Sequence, residues 1–340
     1  MLKKGVLMVL MVSVALFGLF AGGAAETAAP EAGIQQLEIS IGSAFPEGSE
    51  VYQTAVVMKQ LIEERSGGAI RVNNFLGGAV GNEEAVAEAV SIGSLEGQSS
   101  GFTFISMFAP QYNFFDIPFS IVDFDHWFSV WNSDLGEALR REVVNNGNFY
   151  VVAPVQRGQR HMFAKKPVRG PEDMRGVRQR VPSIEEWVMI WEQGIGSSPT
   201  GVSMTEIYTA LQTGVVDAID ADLSAGIGYR HYETTSHLSL TAHQPMMGYV
   251  SFNKDFLDGL NQETRDLIVN AATDAAETVS RSALADQDEY VEFLRNNGMQ
   301  IVELTPAERQ RLQDAAEPVL ERIFDEKFAI SRQEVLRYAR

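Results

Sequence analysis

The chain contains no cysteine among its 340 residues. That one absence excludes disulfides, thiol nucleophiles, thiolate metal sites and attachment of a lipid to an N-terminal cysteine. Histidine is scarce as well, and His126, His161, His231, His237 and His243 show no metal-ligand spacing such as H-E-x-x-H. No glycine-rich phosphate loop ending in Gly-Lys occurs. Basic residues are few: 27 Lys and Arg stand against 45 Asp and Glu, for a formal net charge of −18. Such a chain is a poor partner for nucleic acid or anionic lipid, which attract basic surfaces. The one pronounced apolar run, residues 6–20, falls short of the about 20 residues that a bilayer span requires.

That run follows Lys3 and Lys4 and leads into small residues up to Ala25, the three-part layout of a secretory signal. Cleavage near Ala25 is expected, giving an exported chain free of any lipid anchor. Cleavage removes two lysines and no acid, so the mature chain is more acidic still. An anionic ligand must then be captured by a local exception to the overall charge. The roughly 315 residues that remain exceed one average domain and allow two lobes. Residues 26–34 read as a flexible leader.

Residues 37–42 alternate as a strand with one buried face, and residues 51–65 form an amphipathic helix with Val56, Leu61 and Ile62 inward, stopped at Ser66-Gly67-Gly68. A second strand at 70–72 and a second helix at 83–92, closed by Gly93, complete a pattern of short α/β units with a parallel sheet. Ligands of such sheets sit beyond the carboxyl ends of the strands, which makes the loops at 44–46, 81–82 and 99–102 cleft candidates. Residues 114–119 are expected to form a buried strand end and turn. Trp127 and Trp131, four apart, share one helix face and read as core. Residues 149–155 form an apolar strand able to pass from one lobe to the other.

Directly after it begins the most basic stretch of the chain, residues 160–222. Within it residues 177–181 alternate, so Arg178 and Arg180 share the face opposite Val177, Gln179 and Val181, and Pro182 leaves Arg180 at the strand exit. A planar guanidinium offers a carboxylate two parallel hydrogen bonds. Spacing alone leaves two readings of Arg180 open: a carboxylate-binding arginine, or a surface arginine paired with a neighbouring acid. Residues 204–214 are expected to form a helix capped by Thr205, and residues 215–220 a buried strand whose exit carries Asp220 and Asp222, the latter as a turn cap. Further on, residues 247–253 form a return strand and residues 264–293 one long helix. A short strand at 302–304 precedes a helix with Thr305 as cap and Pro306 at its first position.

Gly158-x-Arg160, the segment 167–176 with the strand that ends in Arg180-Val181-Pro182, and Glu206-x-Tyr208-x-Ala210-Leu211-Gln212-Thr213-Gly214-Val215-Val216-Asp217 closely resemble the solute-binding proteins of tripartite ATP-independent periplasmic (TRAP) transporters. Weaker agreement extends over nearly the whole mature chain. The resemblance implies an α/β fold of two lobes, each a mixed sheet flanked by helices, with a long C-terminal helix crossing both. It implies discontinuous lobes, 35–157 with 247–286 and 158–246 with 287–340. It places the family's carboxylate-clamping arginine on Arg180 and a second cleft arginine on Arg160. Ala44, Phe45, Asn82 and Met204 fall on cleft-lining positions. One extra residue between Arg180 and Glu206 puts Ala221 where relatives carry a larger contact residue, so Asp220 is expected to take over recognition there. Gly101 and Phe104 replace the charged pair of the sialic-acid branch, which argues against that ligand. The implied protein is a periplasmic monomer without cofactor, metal or catalysis. It would deliver a small organic anion, a sugar acid or hydroxy acid in the first instance, to the TRAP membrane subunits. A C4-dicarboxylate is the alternative ligand, and a sensory role with the same cleft the alternative use.

Overall fold

A computed structural model describes residues 33–339. The expected signal segment and all of the expected leader but Gly33 and Ile34 lie outside the described residues. Those two are not a loose leader. The Gly33 N–H donates to Glu263 Oε2 at 3.0 Å, and Ile34 packs into an apolar cluster with Ile268 and Ala272. Packing and hydrogen bonding are thus already in place four residues before the strand that alternation picks out.

The strands in chain order are β1 (Leu37–Gly42), β2 (Ile70–Phe75), β3 (Gly97–Gly101), β4 (Phe149–Gln159), β5 (His161–Ala164), β6 (Arg178–Val181), β7 (Ser198–Gly201), β8 (Ala218–Ala221), β9 (His237–Leu240), β10 (Pro245–Asn253) and β11 (Gln300–Glu303). They form two mixed sheets, ordered β2-β1-β3-β10-β4 and β11-β9-β5-β8-β6-β7. In the first, β1 runs parallel to β2, with Leu37 opposite Ile70, while β10 runs antiparallel to both β3 and β4. In the second, β6 is parallel to β7 and β8, and β5 antiparallel to β8 and β9. The parallel sheet expected from the N-terminal pattern is therefore mixed, because the late strand β10 enters between β3 and β4 and runs against both.

The chain passes between the two sheets at three places. Arg160 alone separates β4 from β5, residues 241–244 separate β9 from β10, and Asp286 separates the helices Gln262–Ala285 and Gln287–Asn296. The first two crossings lie side by side, tied by Arg160 N–H to Gln244 O at 2.8 Å and His243 N–H to Arg160 O at 3.3 Å. The helix before the third crossing buries Ala271, Ala272, Ala275 and Ala276 against the first sheet; the helix after it buries Leu294 beside Phe163 and Leu238 of the second. Residues 264–293 are thus two helices, not one. Asp286 sits at φ −88° and ψ 1° and takes a hydrogen bond from Ser282 Oγ at 3.0 Å, the local side-chain bonding by which aspartate competes with helix.

Other expectations shift by a residue or a turn. Helix Glu50–Arg65 buries Val51, Thr54, Ala55, Met58 and Ile62, so its inward face is rotated from the one expected, and Val56 and Leu61 are half-buried. Pro110–Asp116 is a 3₁₀ helix rather than a strand end, with Phe114 and Phe115 buried. The Val215 side chain is exposed and β8 starts only at Ala218, since Asp217 is turned outward to pair with Arg178 at 2.7 Å and Lys165 at 3.1 Å. Thr205 caps no helix: Met204–Glu206 is a 3₁₀ turn leading into helix Ile207–Gln212 without a side-chain cap. The segment Ile190–Ile195 is a π-helical turn, which holds one residue more per turn than an α turn. It lies in the interval where the resemblance implies an extra residue.

The capping box at the start of helix Pro306–Lys327 is as expected, with Thr305 and Glu308 bonded reciprocally. So is the core role of Trp127 and Trp131, whose rings stack at 5.1 Å next to Phe102 and Phe115. Among the described residues no helix is long and apolar enough to cross a membrane, and no group of three His, Asp or Glu could hold a metal ion.

Candidate functional site

Both sheets aim the carboxyl ends of strands at one region. From the first, the turn after β1 brings Phe45, the loop after β2 brings Glu83, and the exit of β3 brings Thr103 and Phe104. From the second, β6 brings Arg180 and Pro182, and the turn after β7 brings Met204. Arg157, Arg160 and Met246 close the floor where the chain crosses between sheets. Together these side chains enclose a narrow internal space. Larger grooves exist on the surface, along helix Gln262–Ala285 and beside helix Pro306–Lys327. Of these spaces, among the described residues, the small one alone gathers three buried arginines.

Two of the three arginines have carboxylate partners. Arg157 Nη2 lies 2.6 Å from Asp222 Oδ2, both side chains are 1% exposed, and the guanidinium stacks 4.4 Å from the Phe45 ring centre. Asp222 is held in turn by Ser224 Oγ and the Ala225 N–H, each at 2.9 Å, so it caps helix Leu223–Gly228 as well as pairing with Arg157. Arg160 Nε lies 3.0 Å from Asp220 Oδ2, and its Nη2 donates to the Asp220 carbonyl at 3.0 Å. The same guanidinium lies over Trp187 at 4.5 Å. His243 Nε2 meets Asp220 Oδ2 at 3.1 Å, and its Nδ1 meets Thr241 Oγ1 at 2.8 Å. Burial alone would raise the Asp220 carboxyl, but Arg160 and His243 hold it down at about 2. Burial keeps His243 below its ordinary value, so a neutral ring bridges Asp220 and Thr241.

Arg180 differs. It is 3% exposed, its Nε donates to the Val202 carbonyl at 2.8 Å, and among the described residues no carboxylate lies within ion-pair distance of it. Burial, and then the neighbouring Arg160, push its pKa down to about 10, which still leaves it charged at neutral pH. A buried guanidinium without a counter-charge is costly unless something else supplies one. Glu83 presents the converse case. Its side chain is buried, Oε1 has no hydrogen-bond partner, and burial pushes its pKa up against the pull of Arg157, Arg180 and Arg160. Nearby Asp116 is raised to about 7 by burial while bonded to Gln244 Nε2 at 3.1 Å.

Of the residues expected from the sequence, Arg180, Arg160, Phe45 and Met204 line the cavity. Asp220 stands one step behind, bound to Arg160. Ala44 contributes its carbonyl to the Tyr229 hydroxyl at 3.1 Å and does not line the cavity. The Asn82 oxygen caps helix Glu83–Ser91 by accepting from the Ala85 N–H at 3.0 Å, and it is the next residue, Glu83, that reaches the cavity. Ala221 packs in the apolar cluster with Phe163 and Leu223. Arg157 and Glu83 escaped the sequence reading. For Arg157 a signal existed: β4 buries Phe149, Val151, Ala153 and Val155 at every second position, and Arg157 continues that phase. Glu83 carries no such mark.

Residues 97–101 spell G-Q-S-S-G, a pattern shared by the nucleophile turns of hydrolases and overlooked in the sequence reading. Here it is strand β3 rather than a strand-to-helix elbow, and the Ser99 hydroxyl donates to the Val51 carbonyl at 2.7 Å. No histidine hydrogen-bonds to it among the described residues.

Residues 41–327 match the family model described as Bacterial extracellular solute-binding protein, family 7. The 2,3-diketo-L-gulonate-binding periplasmic protein of Escherichia coli K12 is 24% identical over 300 residues, 88% of this chain and 90% of that one. A crystal structure of a TRAP periplasmic solute-binding protein from Bordetella, with density assigned to pantoate, superposes with a TM-score of 0.81 at 25% identity, covering 89% of this chain and 98% of that one. Another from Shewanella oneidensis, with bound succinate, reaches a TM-score of 0.82 at 22% identity over 92% and 98% of the two chains.

Proposed function

Since the chain belongs to family 7 of the bacterial extracellular solute-binding proteins, the solute-binding components of TRAP transporters, we propose that it captures a small organic monocarboxylate in the cavity at Arg180 and hands it to the transporter's membrane subunits. The observation that carries this reading is the buried Arg180 guanidinium, for which the described residues supply no carboxylate. Each charge-assisted hydrogen bond it gives a ligand contributes about 1.5–3 kcal/mol net. Of the named relatives, one is a diketogulonate-binding protein and one carries density assigned to pantoate, both monocarboxylates, while the third holds succinate, a dicarboxylate.

A hydroxylated acid is favoured over a C4-dicarboxylate because Arg160, the second expected carboxylate holder, is already matched by Asp220. In this reading Arg160 and Asp220 shape the floor, and Phe45 and Met204 supply apolar walls. The lobes are 35–157 with 247–286 and 158–246 with 287–340, swinging about the three chain crossings. Closure over the ligand excludes water, and a ligand shifts that equilibrium only by its differential affinity for the closed form. The protein acts as a monomer in the periplasm after loss of residues 1–25, and performs no catalysis.

The test is calorimetric titration of residues 26–340 with sugar acids and hydroxy acids chosen from a thermal-shift screen, in which a ligand at 100 times its Kd adds about 2.7 kcal/mol of stability. Arg180→Ala should weaken binding by about 10- to 150-fold per bond lost while circular dichroism stays unchanged, and Arg180→Lys should recover only part. Undiminished affinity in both variants overturns the assignment.

A further inference from the structure

The charges around the cavity pair off unevenly. Arg157 is matched by Asp222 and Arg160 by Asp220, both pairs buried. Left over are Arg180, on the second sheet, and Glu83, on the helix that follows β2 of the first. Glu83 occupies the first position of helix Glu83–Ser91, where the positive end of the helix favours an acid. Its Oε1 is buried, lines the cavity and has no partner. The backbone makes room for it at one place. A Cβ on Gly101 would stand 2.6 Å from Glu83 Oε1 and 2.9 Å from the Phe45 ring, so any larger residue there would displace the carboxyl.

From this geometry we infer that Glu83 sets the charge of the accepted ligand, selecting a monocarboxylate whose remaining polar groups are hydroxyls and rejecting a second carboxylate. The inference rests on Arg180 holding the ligand's first carboxylate. With that bond made, no unmatched cation remains in the cavity for a second negative group. A second carboxylate beside Glu83 either meets a like charge or forces Glu83 to take up a proton. A hydroxyl has no such difficulty, since it donates to the carboxylate form and accepts from the carboxyl form. The groups that set the balance at Glu83 come from every side: Arg157 on β4, Arg160 at the crossing, Arg180 on β6, Asp116, and the hydroxyls of Tyr229 and Tyr249.

The experiment uses matched pairs in which a terminal hydroxymethyl is replaced by a carboxylate: erythronate against tartrate, and gluconate against glucarate. Calorimetric Kd values are measured for the mature wild type, Glu83→Gln and Arg180→Ala at pH 6 and pH 9. The wild type should favour the monocarboxylate of a pair, by a margin that widens at least about tenfold from pH 6 to pH 9 as proton uptake becomes harder. Glu83→Gln, similar in size but without charge, should lose most of the widening, whatever its affinity for the monocarboxylates. An unchanged ranking and pH dependence in Glu83→Gln, with binding lost in Arg180→Ala, overturns the role of Glu83 alone. Intact binding in Arg180→Ala, or no binding by either pair, overturns the carboxylate reading beneath it.

Discussion

Arg157 and Asp222 are both 1% exposed, and their ion pair joins the first sheet to the helix that follows β8 of the second. Removing one member of such a pair strands the other charge in a low dielectric. Asp222→Asn should therefore cost about 3–5 kcal/mol in chemical denaturation, far more than the same change at exposed Asp274. Asparagine can keep the cap of helix Leu223–Gly228, so the loss reports on the ion pair. What the sequence disclosed at this scale follows from how each residue is placed. Arg180 could be read because a strand alternation and a following proline put it at a strand exit. Arg157 could have been read from the same kind of phase in β4. Glu83 could not, since its role comes from the loop after β2 meeting a strand end of the other sheet.

Secondary-structure elements were most legible where a local chemical signal ends them. The glycine after helix Glu83–Ser91, Gly93 at φ +75°, and the Thr305 capping box before helix Pro306–Lys327 are such signals. Thr305→Ala should lower stability by about 0.5–2 kcal/mol, seen as a lower denaturation midpoint with an unchanged slope. Legibility failed where tertiary contact decides. No periodicity marks Asp286 as the point at which a helix leaves one sheet for the other, because Gln262–Ala285 and Gln287–Asn296 are each helical by their own pattern. Helix Glu50–Arg65 likewise turned its inward face toward Ala55 and Met58, since the small alanines of Gln262–Ala285 pack against that side.

At the scale of the whole molecule, buried acids, Glu83 among them, make stability fall as pH rises, while the buried His161 and His231, held at about 3, add stability as pH rises to about 6.5. Glu50, at the start of helix Glu50–Arg65, is raised from 4.5 to about 8 by burial and by Asp222, and bonds to Ser224. Asp116 is raised from 3.8 to about 7 by burial. Each holds a proton in the folded state that the unfolded chain has released, so each contribution weakens as pH rises from its unfolded value through its folded one. Asp220, held at about 2, contributes a constant amount over the same range. Above about pH 6.5, where the histidines are neutral in both states, the Tm should accordingly fall up to pH 8, and Glu50→Gln should flatten the fall and exceed the wild type at pH 8. A wild-type Tm that rises across this window, with no difference in the variant, would contradict the assignment. The α/β class was legible from alternating short units, whereas the mixed strand order was not, because β10 reaches its place from 144 residues beyond β3.

The position of β10 also governs when the molecule can come into being. It lies inside its sheet, between β3 and β4, and Gln98 Nε2 bonds to Ser251 Oγ at 3.1 Å. A growing chain that has not yet produced residue 253 holds two facing strand edges with nothing between them. The first sheet cannot close until nearly three-quarters of the polypeptide exists, however early its other strands were made. A fragment ending before residue 245 therefore presents open edges to its neighbours, and aggregation is its expected fate.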